Sequence, residues 1–290
     1  MLMLKNITKK YKAITALNDF SLTLHPGVYA LLGPNGAGKT TIFKILVGLL
    51  APTDGDILYN GRQIQQCEKD YLRRLGYLPQ SPNFYPNFTA RDFLKYMAAI
   101  KDVPKEVVQN RITDLLGQVN LTEAADRKIR TFSGGMKQRL GIAQALINNP
   151  EIIVLDEPTA GLDPKERIRF RNLMLQLSKD KVILISTHIV SDIEHLASRI
   201  VLIRNGRLVQ DATPVEFLNQ IAPKVWQIPV CDEEVSQFLT RYNVVSSTYD
   251  GKEFFLRIVN DEPPSQQAVH VFPTLEDVYI DCFGEKGNPV

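Results

Sequence analysis

Apolar residues fall into runs of different period along the chain. VYALL (28–32), IIVL (152–155) and VILIS (182–186) are short and almost unbroken. That is the pattern of strands buried on both faces. SLTL runs into Pro26-Gly27, and DILY runs into Asn60-Gly61, a dipeptide that predicts a hairpin. TTIFKILVGLL reads as a helix stopped by Pro52, and from Thr89 to Leu146 the apolar spacing is mostly helical. Thr89-Ala-Arg-Asp92 resembles a capping box, and VVQNRITDLLGQV and MKQRLGIAQAL carry apolar residues at helical intervals. Apolar strands alternating with helices predict an α/β fold with a covered parallel sheet. Near the end, VVSSTYDGKEFFLRIV predicts a second hairpin, turning at Asp250-Gly251.

Composition narrows the class. The 290 residues are 44% hydrophobic and 23% charged, ordinary for a globular protein with a sizeable core. The net charge of +2 makes no electrostatic case for nucleic acid, and none is expected as a partner. The charge is uneven. Residues 221–290 hold eleven acids and five bases, a balance of −6, so the first 220 residues carry +8. The shift falls at the Pro-flanked stretch APKVWQIP, which predicts a cassette over 1–220 and a small accessory domain over 221–290. No apolar run reaches the length of a membrane span, and MLMLKNITKK lacks the apolar core of a signal peptide. Cys67, Cys231 and Cys282 are scattered and without metal-type spacing, which suits a reducing compartment.

Two stretches carry chemistry. Gly33-Pro34-Asn35-Gly36-Ala37-Gly38-Lys39-Thr40, followed by Thr41, fits the phosphate-loop pattern, with a strand before it and a helix after it. Its glycines let successive N–H groups turn towards an anion, and the following helix adds its positive end. Lys39 is then the cation for the β- and γ-phosphates, and the Thr40 hydroxyl a ligand for Mg²⁺. IIVL ends in Asp156-Glu157. A buried strand delivers such carboxylates to the edge of the sheet where α/β folds bind ligands. Asp156 is the candidate to hold Mg²⁺ through its water shell, and Glu157 to polarise a water against the γ-phosphate.

With Ser133-Gly134-Gly135 between these motifs, residues 2–215 resemble an ATP-binding cassette (ABC) ATPase. The resemblance implies a P-loop fold with a parallel-sheet core, an antiparallel β subdomain and a helical subdomain at about 82–147, joined to a small α+β C-terminal domain. It implies ATP and Mg²⁺ as ligands. Thr131-Phe132-Ser133-Gly134-Gly135-Met136-Lys137-Gln138-Arg139 resembles the family signature, with Phe132 for the usual Leu and Met136 for the usual Gln; read alone, Ser133 is simply a helix cap. By the same resemblance Gln80 matches a glutamine that senses Mg²⁺ and the attacking water, in a loop that meets the membrane partner. Ala160-Gly161-Leu162-Asp163 resembles a loop that crosses the dimer interface, although Asp163 before Pro164 also reads as a helix cap. His188 matches the switch histidine, and Tyr11 the aromatic that stacks on adenine.

One phosphate loop and one signature per chain imply that two copies meet head to tail around two ATP molecules. The transport path then belongs to a separate permease, which would hold the chain on the inner face of the plasma membrane. PTLEDVYI looks like the closing helix of cassettes from the drug- and antibiotic-exporter branch. Two other readings stay open: a soluble ABC-type ATPase not coupled to transport, and a nucleotide-binding regulator without turnover, against which the intact Lys39, Asp156, Glu157 and His188 set argues.

Overall fold

The computed structural model describes residues 1–284. The end of the expected C-terminal domain, 285–290, lies outside the described residues. Two compact units emerge: Met1–His188 with Leu196–Asp211, and Ile189–His195 with the chain from Ala212 onward. The division falls at Asp211/Ala212, ahead of the position near 220 suggested by the charge shift. The helix that follows Thr213 belongs to the second unit, because its buried face is used there.

In the first unit, β1 (Leu2–Tyr11) and β2 (Ile14–Leu24) form an antiparallel pair. Leu2, Leu4 and Ile7 of β1 are buried. β3 (Gly27–Leu32) is buried along its whole length and leads into α1 (Lys39–Leu46). That helix stops short of Leu50, where the sequence pattern carried it. Gly48 takes a left-handed φ of 75°, and the Leu49 and Leu50 N–H groups donate back to the Lys44 carbonyl, closing the helix before Pro52 is reached. β4 (Asp54–Tyr59) pairs with β1, and β5 (Arg62–Gln63) folds back on it through Asn60 and Gly61, both at positive φ. This completes an antiparallel sheet of order β2-β1-β4-β5.

The chain continues through α2 (Glu68–Arg73), β6 (Leu75–Leu78), α3 (Ala90–Ile100), α4 (Lys105–Gln118) and α5 (Gly134–Leu146). Next come β7 (Ile152–Asp156), α6 (Pro164–Leu177) and β8 (Val182–Ser186). After the short α7 (Val190–Glu194) of the second unit, β9 (Arg199–Arg204) and β10 (Arg207–Ala212) close a second sheet of order β10-β9-β3-β8-β7-β6. β9, β3, β8, β7 and β6 run parallel. Alternate side chains serve opposite faces. Ile153, Leu155, Ile183 and Ile185 pack with Phe93, Leu94, Leu115 and Leu140 from the helices. Ile152, Val154, Val182 and Leu184 pack with Phe43 and with Leu4 and Phe20 of the antiparallel sheet. The unbroken apolar runs thus follow from burial on both sides.

The second unit contains α8 (Pro214–Ile221), β11 (Val225–Val230), α9 (Asp232–Arg241), β12 (Asn243–Tyr249), β13 (Phe254–Val259), β14 (Val269–His270) and α10 (Leu275–Phe283). Its sheet has the order β12-β13-β11-β14. Ile228, Val230, Leu256 and Ile258 form its small core. The Asp250 carboxylate accepts from the Lys252 and Glu253 N–H groups and shapes the β12–β13 turn.

PTLEDVYI becomes intelligible in this setting. Thr274 caps α10 in a reciprocal box with Asp277, while Leu275 and Val278 are buried. The fully buried Asp277 accepts two bonds from the Arg257 guanidinium, at 2.7 and 2.6 Å. The paired carboxylate in turn raises the Arg257 pKa. Removing one partner of a buried pair strands the other charge. Asp277→Ala should therefore destabilise the second unit by about 3–5 kcal/mol, read as an early transition in urea unfolding. Arg257→Met combined with Asp277→Leu should recover much of that loss.

Candidate functional site

At the carboxyl edge of the parallel sheet, a cavity of about 220 Å³ is lined by Ala16, Asn35 to Thr41, Gln80, Asp156, Glu157 and His188. The loop from β3 to α1 forms one wall. Gly36 and Gly38 take φ of 80° and 109°, a region that side chains disfavour. Gly33 is needed for space instead, since a Cβ there would stand 2.2 Å from the Ile203 carbonyl oxygen. These constraints turn the loop tightly and leave the first N–H groups of α1 without an intrahelical partner, a setting that attracts anions.

Lys39 Nζ donates to the Gly33 and Pro34 carbonyls at 2.6 and 3.1 Å, so its ammonium is folded over the loop. Burial lowers its pKa, and the charges of Glu157 and Asp156 oppose that shift. Asp156 ends β7 and is buried beside Ser186, its register partner on β8, whose hydroxyl donates to the Asp156 carboxylate. The Asp156 charge, added to burial, also raises the Tyr77 phenol.

Glu157 is the strained member. It sits at φ 53°, a left-handed conformation that costs a non-glycine residue about 1–3 kcal/mol. Its N–H donates to the Ser186 carbonyl at 3.1 Å and also lies 3.3 Å from the Ser186 hydroxyl. Its carbonyl accepts from Gln138 Nε2 of α5 at 3.0 Å. Its carboxylate oxygen Oε2 is buried and accepts no hydrogen bond, although His188 Nδ1 stands 2.9 Å away. The His188 side chain is 72% exposed, free to turn towards whatever fills the cavity.

The structure gathers Asn35, Gly36, Ala37, Gly38, Lys39, Thr40, Thr41, Gln80, Asp156, Glu157 and His188 around this cavity, with Gly33 and Pro34 behind Lys39. Tyr11, Ser133, Gly134, Gly135 and Asp163 do not line it. Tyr11 is exposed at the end of β1, with the Lys9 ammonium 5.4 Å above its ring. Ser133 caps α5 by accepting from the Met136 N–H at 3.3 Å. A Cβ on Gly135 would come within 2.8 Å of the Gly161 carbonyl, so that glycine lets the two loops touch. Asp163 caps α6 through the Glu166 N–H at 2.9 Å.

Sequence reasoning missed Ser186, Gln138 and Ala16. Ser186 was within reach, because pairing IIVLD against VILIS sets it opposite Asp156. Gln138 lies within the signature stretch, but nothing local marks its long-range partner.

Comparison with known proteins agrees with this geometry. Residues 17–160 match the ABC transporter family. The chain is 40% identical over 232 residues to the uncharacterized ABC transporter ATP-binding protein YxlF of Bacillus subtilis, covering 79% of this chain and 77% of that one. It is 33% identical to Nod factor export ATP-binding protein I of Burkholderia orbicola, over 97% of this chain and 96% of the relative. Among solved structures, the dimeric post-hydrolysis state of the cassette MJ0796 bound to ADP and Pi superposes with a TM-score of 0.67 at 28% identity, covering 74% of this chain and 99% of that one. Phosphate loop, paired acids and relatives of nearly full length lead to one conclusion: the chain belongs to the ATP-binding proteins of ABC transporters.

Proposed function

We propose that this chain hydrolyses ATP as a head-to-tail homodimer and drives a separate membrane permease, most simply for export. The observation that carries the reading is the separation of the two anion-directed elements. The phosphate loop, Asp156, Glu157 and His188 share one cavity, while Ser133, Gly134 and Gly135 start α5 outside it. A second copy would bring its own Ser133 and the positive end of its α5 to a γ-phosphate held here. The relative solved as a dimer with ADP and Pi supports that arrangement.

Each residue then has a task. Lys39 exchanges the Gly33 and Pro34 carbonyls for β- and γ-phosphate oxygens. Tyr11, exposed at the end of β1, offers its ring to the adenine. Thr40, Gln80 and Asp156 offer the hard oxygen donors that suit Mg²⁺. Among the described residues no cluster of three or more His, Cys, Asp or Glu could hold a metal, which fits an ion completed by water and phosphate. Mg²⁺ bound there neutralises phosphate charge. Glu157 Oε2, buried with His188 Nδ1 2.9 Å away, is poised to accept the proton of a water directed at phosphorus. His188 steadies that carboxylate and bonds the γ-phosphate, and Asp163 lies in the loop that would face the second copy.

Three observations support a permease partner and a peripheral position on the membrane. Among the described residues no helix is long and apolar enough to cross a membrane. Beyond Gln80, the rings of Tyr85, Phe88 and Tyr96 form an exposed aromatic group within about 6 Å of one another, an apolar surface suited to a partner. The Burkholderia relative named for Nod factor export aligns along almost the whole chain, second unit included.

Glu157→Gln should leave ATP binding intact, lower turnover about a hundred- to ten-thousandfold and collect an ATP-loaded dimer on a sizing column. A variant that stays monomeric with ATP and magnesium would refute the sandwich. Lys39→Ala should weaken nucleotide binding about ten- to a hundredfold by calorimetry, through the loss of charge-assisted hydrogen bonds. Tyr85→Glu with Phe88→Glu should abolish recovery of a membrane protein with the tagged chain from detergent extracts, while the purified variant keeps its basal phosphate release.

A further inference from the structure

The first unit holds a second cavity, of about 460 Å³, which the nucleotide chemistry does not use. Its walls come from the end of α2 (Arg73), the α3–α4 connection (Lys101, Asp102), one face of α4 (the exposed Val107 and the half-buried Arg111) and the segment before β7 (Ile147, Asn148). The segments adjoining it lead into the amino ends of β6 and β7, whereas the phosphate loop and Asp156 lie at the carboxyl ends of parallel strands. The two cavities therefore occupy opposite edges of one sheet.

The electrostatics of this cavity are unbalanced. Arg73 pairs with Asp102 at 3.0 Å, which leaves Lys101 and Arg111 to be accounted for. Among the described residues neither forms an ion pair with a carboxylate. Burial depresses the pKa of both, and the charge of Asp114 only partly offsets this for Arg111. Both cations lean on main-chain carbonyls: Lys101 Nζ on Leu75 at 3.1 Å and Leu72 at 3.3 Å, Arg111 on Leu146 at 2.6 Å. Those bonds leave capacity unspent. Arg111 Nε is buried without an acceptor, and Asn148 Oδ1 is buried without a donor, while both Asn148 bonds run from its Nδ2 to the Arg73 and Leu75 carbonyls. Orphaned buried polar atoms are rare because each costs about 1–3 kcal/mol.

We propose that this cavity is a binding site for a small phosphate monoester. Two cations without carboxylate partners match the charge of about −1.5 to −2 on a phosphate monoester at neutral pH. Lys101 Nζ, with two bonds committed to carbonyls, has a proton to give, and the Arg111 guanidinium adds a second charge to a phosphate beside them. Val107 and Pro104 offer apolar surface to a carbon skeleton, and the volume lies within the range of small-molecule sites. The bound ester would bridge α2 and the segment before β7 to α3 and α4, tying the helical segment to the sheet.

Calorimetry on the full chain, with ADP saturating the phosphate loop, tests this with ribose 5-phosphate as probe and with ribose and inorganic phosphate as controls. The expected result is saturable 1:1 binding of ribose 5-phosphate, weaker binding of inorganic phosphate and none of ribose. Val107→Glu sets a like charge at the rim from an exposed position that leaves the fold intact, and Lys101→Met removes a cation. Each should weaken binding about tenfold or more, with ADP affinity unchanged. No saturation at about 10 mM would overturn the proposal. So would equal affinity for inorganic phosphate, or affinity indifferent to Val107→Glu. None of these outcomes bears on the ATP dimer, which is tested through Glu157.

Discussion

One strained residue holds the catalytic edge together. Glu157 leaves the end of β7 in a left-handed conformation, and its peptide groups are held from two sides. Ser186 of β8 takes its N–H, and Gln138 of α5 takes its carbonyl. Backbone strain of this kind persists only where surrounding bonds over-determine it. The bonds here come from different layers, the sheet and the helical segment. A shift of α5 relative to the sheet therefore acts first on the residue that carries the buried carboxylate. Because Ser133 and Gly135 open the same helix, any contact made at its N-terminus has a short covalent and hydrogen-bonded route to Glu157.

The same edge balances charge. Asp156 and Glu157 are two acids side by side, both buried, and such a pair needs nearby positive charge or donors. Ser186 supplies a hydroxyl to Asp156, and Lys39 supplies a cation whose pKa those acids help to keep up against burial. Lys39 meanwhile rests on loop carbonyls that are weaker partners than phosphate oxygens. The site is thus held with its main cation lightly engaged, and nucleotide phosphates find donors already in position, with little reorganisation to undergo.

How much was legible in the sequence depended on the range of each signal. The phosphate loop, Asp156-Glu157 and the strands beneath them were readable because local sequence determines a glycine turn and a doubly buried strand. The end of α1 was misread because Pro52 is a conspicuous stop signal, whereas Gly48, which closes the helix, also fits inside a helical run. The Gln138–Glu157 bond links positions nineteen residues apart through tertiary packing, and no local pattern marks it. The division at Asp211 was hidden for a similar reason: α8 is distinguished by what its apolar face covers, not by its composition.

The two departures in the signature follow from packing. Phe132 is 6% exposed within the cluster that covers one face of the parallel sheet, and Met136 packs against the same cluster. Met136 contributes its N–H to the Ser133 cap while its side chain turns to apolar neighbours. A flexible thioether fills such a gap well. The polar work of this helix start therefore falls on groups that every residue type supplies, namely main-chain N–H groups and the room left by Gly134 and Gly135. An anion met there would be bound by the helix end itself, and the side chain at 136 would set how firmly that end is seated on the core.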